Sequence, residues 1–274
     1  MPASQIEKAN RFCTLHQGPG CFLIANAWDA GSAKILAGLG YEALATSSGA
    51  QAGVLGRRDG MVGREEALAH CRTIAAATDL PVSADLEKCF DDAPQGVAET
   101  IRLAAATGLV GGSIEDFTGN PQQPLYDLAH AKERVAAAVE AARRLPFYFT
   151  LTARAEGCLR GHPDLDEIIK RLQAFEAVGA DVLMAPGLPD LAAVRSVCGA
   201  LSRPFNFMAG VRGRSFTVAD LAEAGVKRIS LATSLYRAAM SGLVDAAREV
   251  KERGTFGYVE TTMATPELNG YMAN

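Results

Sequence analysis

Eight short apolar runs, each followed by an alanine-rich amphipathic stretch, recur along the whole 274-residue chain. The runs fall at 21–26, 43–47, 81–85, 110–115, 148–154, 181–185, 205–209 and 228–232. Each is apolar on both sides, the pattern of parallel strands covered on two faces. Helical periodicity marks the stretches between them, for example 64–77, 93–107, 128–144 and 165–178, with Asp164 placed to cap the last. Small turns precede several strands: Leu39-Gly40, Thr107-Gly108, Val178-Gly179-Ala180 and Ala224-Gly225-Val226. Glycine there takes the left-handed position that closes a helix before a strand. Eight such units without a linker predict an α/β chain closed into a (β/α)8 TIM barrel. A doubly wound open sheet is the alternative, but it usually holds fewer strands at this length. The last helix is expected at about 235–253, giving a barrel domain over 1–254 and a C-terminal tail over 255–274. That polar tail is expected on a neighbouring subunit.

Composition narrows the function. With 49% apolar and 21% charged residues the chain has enough apolar mass for a large core. A net charge of −4 offers neither a nucleic-acid stripe nor a membrane-surface patch. No run approaches the roughly 20 apolar residues of a membrane span. The first residues, with Glu7, Lys8, Asn10 and Arg11, lack the apolar stretch of a signal peptide. Six scattered cysteines without metal-finger spacing read as separate reduced thiols. A cytoplasmic protein is expected.

In a barrel the strand ends and the loops after them form the active face. Asp85 ends the third strand, with Glu87 two residues on and on the same side of an extended chain. Glu115 and Asp116 end the fourth strand, and Arg154 the fifth. Convergent carboxylates without histidine or cysteine favour a hard cation, Mg²⁺ or Mn²⁺. Alternatively the acids are solvated, or pair with Lys88 and Arg102. Arg154 suits a carboxylate or phosphate fork, or a structural salt bridge to Glu115 or Asp116. Small residues in Thr46-Ser47-Ser48-Gly49 let backbone N–H groups approach an anion. Asp59, in the glycine-rich loop that follows, is ambiguous alone. Lys88-Cys89 reads as an ordinary loop thiol. Gly210 to Arg214 follows the seventh strand, but without a glycine-rich start after the eighth it is at best part of a phosphate site.

The order of Thr46-Ser47-Ser48-Gly49, Leu55-Gly56-Arg57-Arg58-Asp59, Pro81-Val82-Ser83-Ala84-Asp85, Ser113-Ile114-Glu115-Asp116 and Thr152-Ala153-Arg154 resembles the isocitrate lyase/phosphoenolpyruvate mutase superfamily. The likeness runs from Phe22 to the final helix. It implies that Asp85 ligates Mg²⁺ directly, with Glu87 and Glu115 holding it through waters. It implies that Arg154, Ser48 and Gly49 grip the substrate carboxylate and that Asp59 lies near the reacting group. It also implies a barrel whose eighth helix is exchanged between subunits, in homo-oligomers that are dimers or dimers of dimers (homotetramers). Members break or form C–C or P–C bonds of 2-oxo or 2-hydroxy acids through a metal-stabilised enolate.

Two loops depart from that pattern. After the fourth strand, where lyases carry Lys-Lys/Arg-Cys-Gly-His, the chain reads Phe117-Thr118-Gly119-Asn120-Pro121-Gln122-Gln123-Pro124-Leu125-Tyr126. After the sixth strand, Met184-Ala185-Pro186-Gly187 lacks the histidine of phosphonate-processing members. The expectation is a Mg²⁺-dependent C–C lyase or decarboxylase for a small 2-oxo or 2-hydroxy carboxylate, oxaloacetate being an example. Asn120, Tyr126, Glu156, His162 and Asn206 are candidate proton donors or substrate ligands by loop position. Alternatives are phosphonopyruvate hydrolase or phosphoenolpyruvate mutase chemistry, or a barrel that binds a carboxylate without turning it over.

Overall fold

The chain, described by a computed structural model over residues 2–214 and 216–273, closes eight parallel strands into one barrel in sequence order. The strands are β1 (Phe22–Asn26), β2 (Leu44–Ala45), β3 (Val82–Asp85), β4 (Gly111–Glu115), β5 (Thr150–Arg154), β6 (Val182–Met184), β7 (Phe205–Met208) and β8 (Arg228–Ser230). The open-sheet alternative is thereby excluded. The four turn glycines, Gly40, Gly108, Gly179 and Gly225, all take φ between +87° and +100°, as the helix–Gly–strand punctuation requires. Asp164 caps the helix Leu165–Ala177, accepting from the N–H groups of Asp166 and Glu167.

Side chains alternate along each strand, so one set faces the helices and the other fills the barrel. On β5, Leu151 and Ala153 join the apolar layer. Thr152 turns inward, where its hydroxyl accepts from Arg228 of β8 at 2.8 Å. Because β5 and β8 are not neighbours, that bond crosses the interior. Ser83, Ser113, Asn206 and Ser230 are also buried there, in place of the branched apolar residues that commonly fill such barrels.

The helix Gln5–Gln17 closes the bottom, started by a capping box between Ser4 and Glu7. Its Phe12 is fully buried and meets Phe22 edge-on, with ring centroids 6.4 Å apart. His16 donates from Nδ1 to the Phe12 carbonyl at 2.7 Å, which leaves Nε2 to accept from Arg228 Nη1 at 3.2 Å. Burial, reinforced by the Arg228 charge, pushes the imidazole down to about 3. The folded state therefore holds His16 neutral, whereas the unfolded chain takes up a proton below its ordinary value near 6.5. Stability from this residue is complete above pH 6.5 and is lost as the pH falls toward 3. Urea unfolding at pH 7 and pH 4.5 is expected to show roughly 2–3 kcal/mol less of this loss in His16→Gln than in the wild type. Equal losses in the two proteins would contradict it.

The helix Ser234–Arg248 is strongly amphipathic, yet none of its residues is buried, and Leu243 and Val244 stand exposed. Beyond it the helix Thr265–Met272 returns to the helix Ala30–Gly38, where Lys34 Nζ donates to the Met272 carbonyl at 3.1 Å. The tail helix thus packs on the helix Ala30–Gly38 of its own chain. The ring of Tyr271 occupies the space beside Gly38, which has no side chain to obstruct it.

Candidate active site

Two strand ends and one loop converge on a single guanidinium, which ends a third strand at the top of the barrel. Arg154 ends β5 directly beside Glu115, the last residue of β4. Its Nη1 lies 3.0 Å from Asp85 Oδ1, and its Nη2 lies 3.1 Å from Glu115 Oε2 and 2.8 Å from Glu156 Oε1. Nε also donates to Glu156 at 2.9 Å. Three carboxylates share one cation, and two of them, Glu115 and Glu156, are buried. Burial pushes the Glu115 carboxyl well above its ordinary range, with Arg154 opposing that shift. The salt-bridge reading of Arg154 holds, and the partner absent from it is Asp116. That carboxylate turns away to accept from Arg171 Nη1 at 3.1 Å and from the Glu156 N–H at 2.8 Å.

The helix Ser48–Val54 begins beside this cluster, and the Ser48 N–H donates to Asp85 Oδ2 at 3.2 Å. A side chain at Gly49 would crowd its neighbours. An added Cβ would stand 3.0 Å from Thr233 Cγ2 and 3.2 Å from Asp59 Oδ2. Ser48, Gly49, Asp59, Asp85, Arg154 and Asn206 all line one cavity of about 290 Å³ that descends into the barrel.

Two predicted residues sit differently. Glu115 stands behind Arg154 and does not line the cavity. Glu87 is not on an extended continuation of β3, as expected, because the strand ends at Asp85 and Glu87 takes φ +49°. A turn closes there, Cys89 N–H donating to the Leu86 carbonyl at 2.7 Å. Glu87 therefore lines a neighbouring depression with Gly60 and Glu66. Burial, then the charges of Asp85 and Asp59, push its carboxyl up to about 7.

The remaining candidates separate clearly. The loop after β4 is pinned at its base by a Phe117–Leu125 bridge, and Arg160 stacks over the Phe117 ring at 3.6 Å. Asn120 and His162 are exposed and off the cavity. The Tyr126 hydroxyl donates to Asp92 instead of facing the site. Lys88 and Arg102 pair with Asp92 and Glu99, not with the strand-end acids. Burial lifts the Cys89 thiol to about 12, so it is inert. Arg214 donates to the Gly187 carbonyl and Arg237 to that of Gly210. Glu156, ranked only by loop position in the sequence, proves to be a principal partner of Arg154. Arg171 and Arg160 carried no sequence signal beyond a charge on an otherwise amphipathic segment.

Among the described residues no three His, Cys, Asp or Glu side chains gather closely enough to ligate one ion together. The donor set still suits a hard divalent cation. Three carboxylates face Arg154, with Arg160 3.4 Å from Glu156, no nitrogen or sulfur ligand belongs to the set, and of the two carboxylates on the cavity wall, Asp85 and Glu156, Asp85 stands beside the Ser48 N–H. One carboxylate with water filling the other positions is the usual way such an ion is held next to a substrate.

A profile of the phosphoenolpyruvate phosphomutase family matches residues 12–251. The chain is 47% identical to a crystal structure from Burkholderia cenocepacia J2315 that bears the provisional description lyase/mutase. That match covers 98% of this chain and 97% of the other, with a TM-score of 0.97. It is 27% identical over 273 residues to an oxaloacetate decarboxylase of Marinomonas sp. (strain MWYL1), covering 97% of this chain and 91% of the relative. A phosphonopyruvate hydrolase solved with oxalate and Mg²⁺ shares the fold at 20% identity and a TM-score of 0.86, covering 97% of this chain and 94% of that one.

Proposed function

The chain belongs to the phosphoenolpyruvate phosphomutase family, within the isocitrate lyase/phosphoenolpyruvate mutase superfamily, and from that membership we propose a Mg²⁺-dependent C–C lyase or decarboxylase acting on a small 2-oxo or 2-hydroxy carboxylate. The observation that carries this reading is the convergence of Asp85, Arg154 and the Ser48–Gly49 backbone on one cavity.

In this reading the backbone at Ser48–Gly49 and the Arg154 fork hold the substrate carboxylate. Glu115 and Glu156 keep Arg154 aimed and charged. Asp85 would hold the metal directly, with Glu87 and Glu115 holding it through waters, and Mn²⁺ would fit the same oxygen set. When bound, the ion would supply a Lewis acid for negative charge developing on the substrate. Asp59, which crowds Gly49, is the side chain nearest the reacting group, and Asn206 orients the substrate from below. The wholly unburied helix Ser234–Arg248, with its exposed Leu243 and Val244, supports exchange between subunits of a dimer or dimer of dimers.

Phosphonopyruvate chemistry is the second reading, favoured by the family profile. It is opposed by the sequence Ala185-Pro186-Gly187 after β6, which offers no side chain to a transferring phosphoryl group. A turnover panel of oxaloacetate, 2-hydroxy dicarboxylates and phosphonopyruvate with Mg²⁺ separates the two. The expected result is carboxylate cleavage without phosphate release. Phosphate from phosphonopyruvate would overturn it.

A further inference from the structure

Arg228 opens β8 and points into the barrel, 5% exposed. Its Nε donates to Asn206 Oδ1 at 2.8 Å, Nη2 to Thr152 Oγ1 at 2.8 Å, and Nη1 meets neutral His16 at 3.2 Å. All three partners are uncharged. Among the described residues no carboxylate pairs with it, and burial alone pushes its pKa down to about 9, so it remains a cation at neutral pH. An uncompensated buried charge is costly, and proteins seldom keep one without a use. Arg134 makes the contrast. It is equally buried, but main-chain carbonyls of Glu115, Lys88 and Asp91 surround it and the Tyr126 ring covers it, so its structural duty is complete.

Arg228 lines the active-site cavity, together with Asn206 and Ser230. Three of the five N–H groups of a guanidinium are engaged, which leaves two for a ligand. Thr152, which Arg228 touches, lies two residues below Arg154 on the same face of β5. Thr152, the residue Arg228 holds, thus lies about 7 Å along the strand from the position of Arg154, a spacing that a short dicarboxylate spans. We propose that Arg228, with Asn206 and Ser230, forms a second anion subsite at the cavity floor, which binds the far carboxylate of the substrate and selects dicarboxylates over monocarboxylates. The proposal rests on the functional reading above and sharpens it. A guanidinium stabilises a carboxylate more than neutral CO₂, so of the two cleavages proposed above the subsite favours the lyase, which keeps both carboxylates, over loss of the far one as CO₂.

Calorimetric titration of the full-length protein in excess Mg²⁺ with malate, lactate and oxalate tests this. Malate is expected to bind at least ~10-fold tighter than lactate, which lacks the far carboxylate. Arg228→Gln is expected to bring the two within about twofold by weakening malate alone. Arg228→Lys, which keeps the charge and loses the fork, should lower the preference at least ~3-fold, and it decides the matter if the glutamine variant does not fold. A wild type without the preference, or a preference unchanged in the variants while oxalate still binds, would overturn the floor subsite and leave the functional reading intact. A wild type that binds none of the three would overturn both.

Discussion

Asp85→Ala is expected to lower Mg²⁺-dependent turnover at least ~10³-fold, about 4 kcal/mol of barrier, with the fold preserved. Asp85 is the one strand-end carboxylate that combines a place on the cavity wall with a bond to the Ser48 N–H. Its loss leaves Arg154 still held by Glu115 and Glu156, which is why stability should change little. Steady-state kinetics with varied Mg²⁺, alongside thermal melting, measures both. Full Mg²⁺-dependent turnover in the variant would remove Asp85 from the metal role.

Arg154→Met should fail in a different way, losing stability and turnover together. The guanidinium is the shared partner of three carboxylates, of which Glu156 is fully buried. Removing it strands the buried Glu115 without its cation and leaves Glu156 only Arg160, at 3.4 Å. Breaking a buried pair from one side typically costs about 3–5 kcal/mol. Denaturant unfolding at neutral pH should show a loss of that size, and kcat/KM should fall at least ~10²-fold for want of the carboxylate fork. A variant as stable as the wild type would mean that the three carboxylates do not depend on Arg154.

The barrel was legible in the sequence because its signals are local. The glycines before β2, β4, β6 and β8 take φ > 0, and Asp164 caps its helix through neighbours two and three residues away. Asp85, Glu115 and Arg154 were legible for a related reason. A charge at the end of an apolar run in a parallel barrel has one mouth to face. Glu87 was misplaced, since its φ of +49° is imposed by a turn that the alternation of an extended chain does not reveal. Arg171 carried no signal because its partner Asp116 lies 55 residues away, and Glu156 meets Arg154 only because the chain leaves the strand between them, with Glu156 at φ −84° and ψ 0°. The tail helix Thr265–Met272 has a weak apolar face, and its seat on the helix Ala30–Gly38 depends on the gap at Gly38 filled by Tyr271. Arg228 had a faint local signal, a lone cation opening an apolar run. Its meaning needed the barrel interior, where its partners prove to be neutral.

The most direct test of a metal-assisted enolate site is a calorimetric titration of oxalate, which imitates the enolate, with and without Mg²⁺. Wild-type protein is expected to bind oxalate at least ~10²-fold more tightly with Mg²⁺ than with chelator, and Asp85→Ala to lose that gain. Equal affinity in the two conditions, or a gain that survives in Asp85→Ala, would contradict the account.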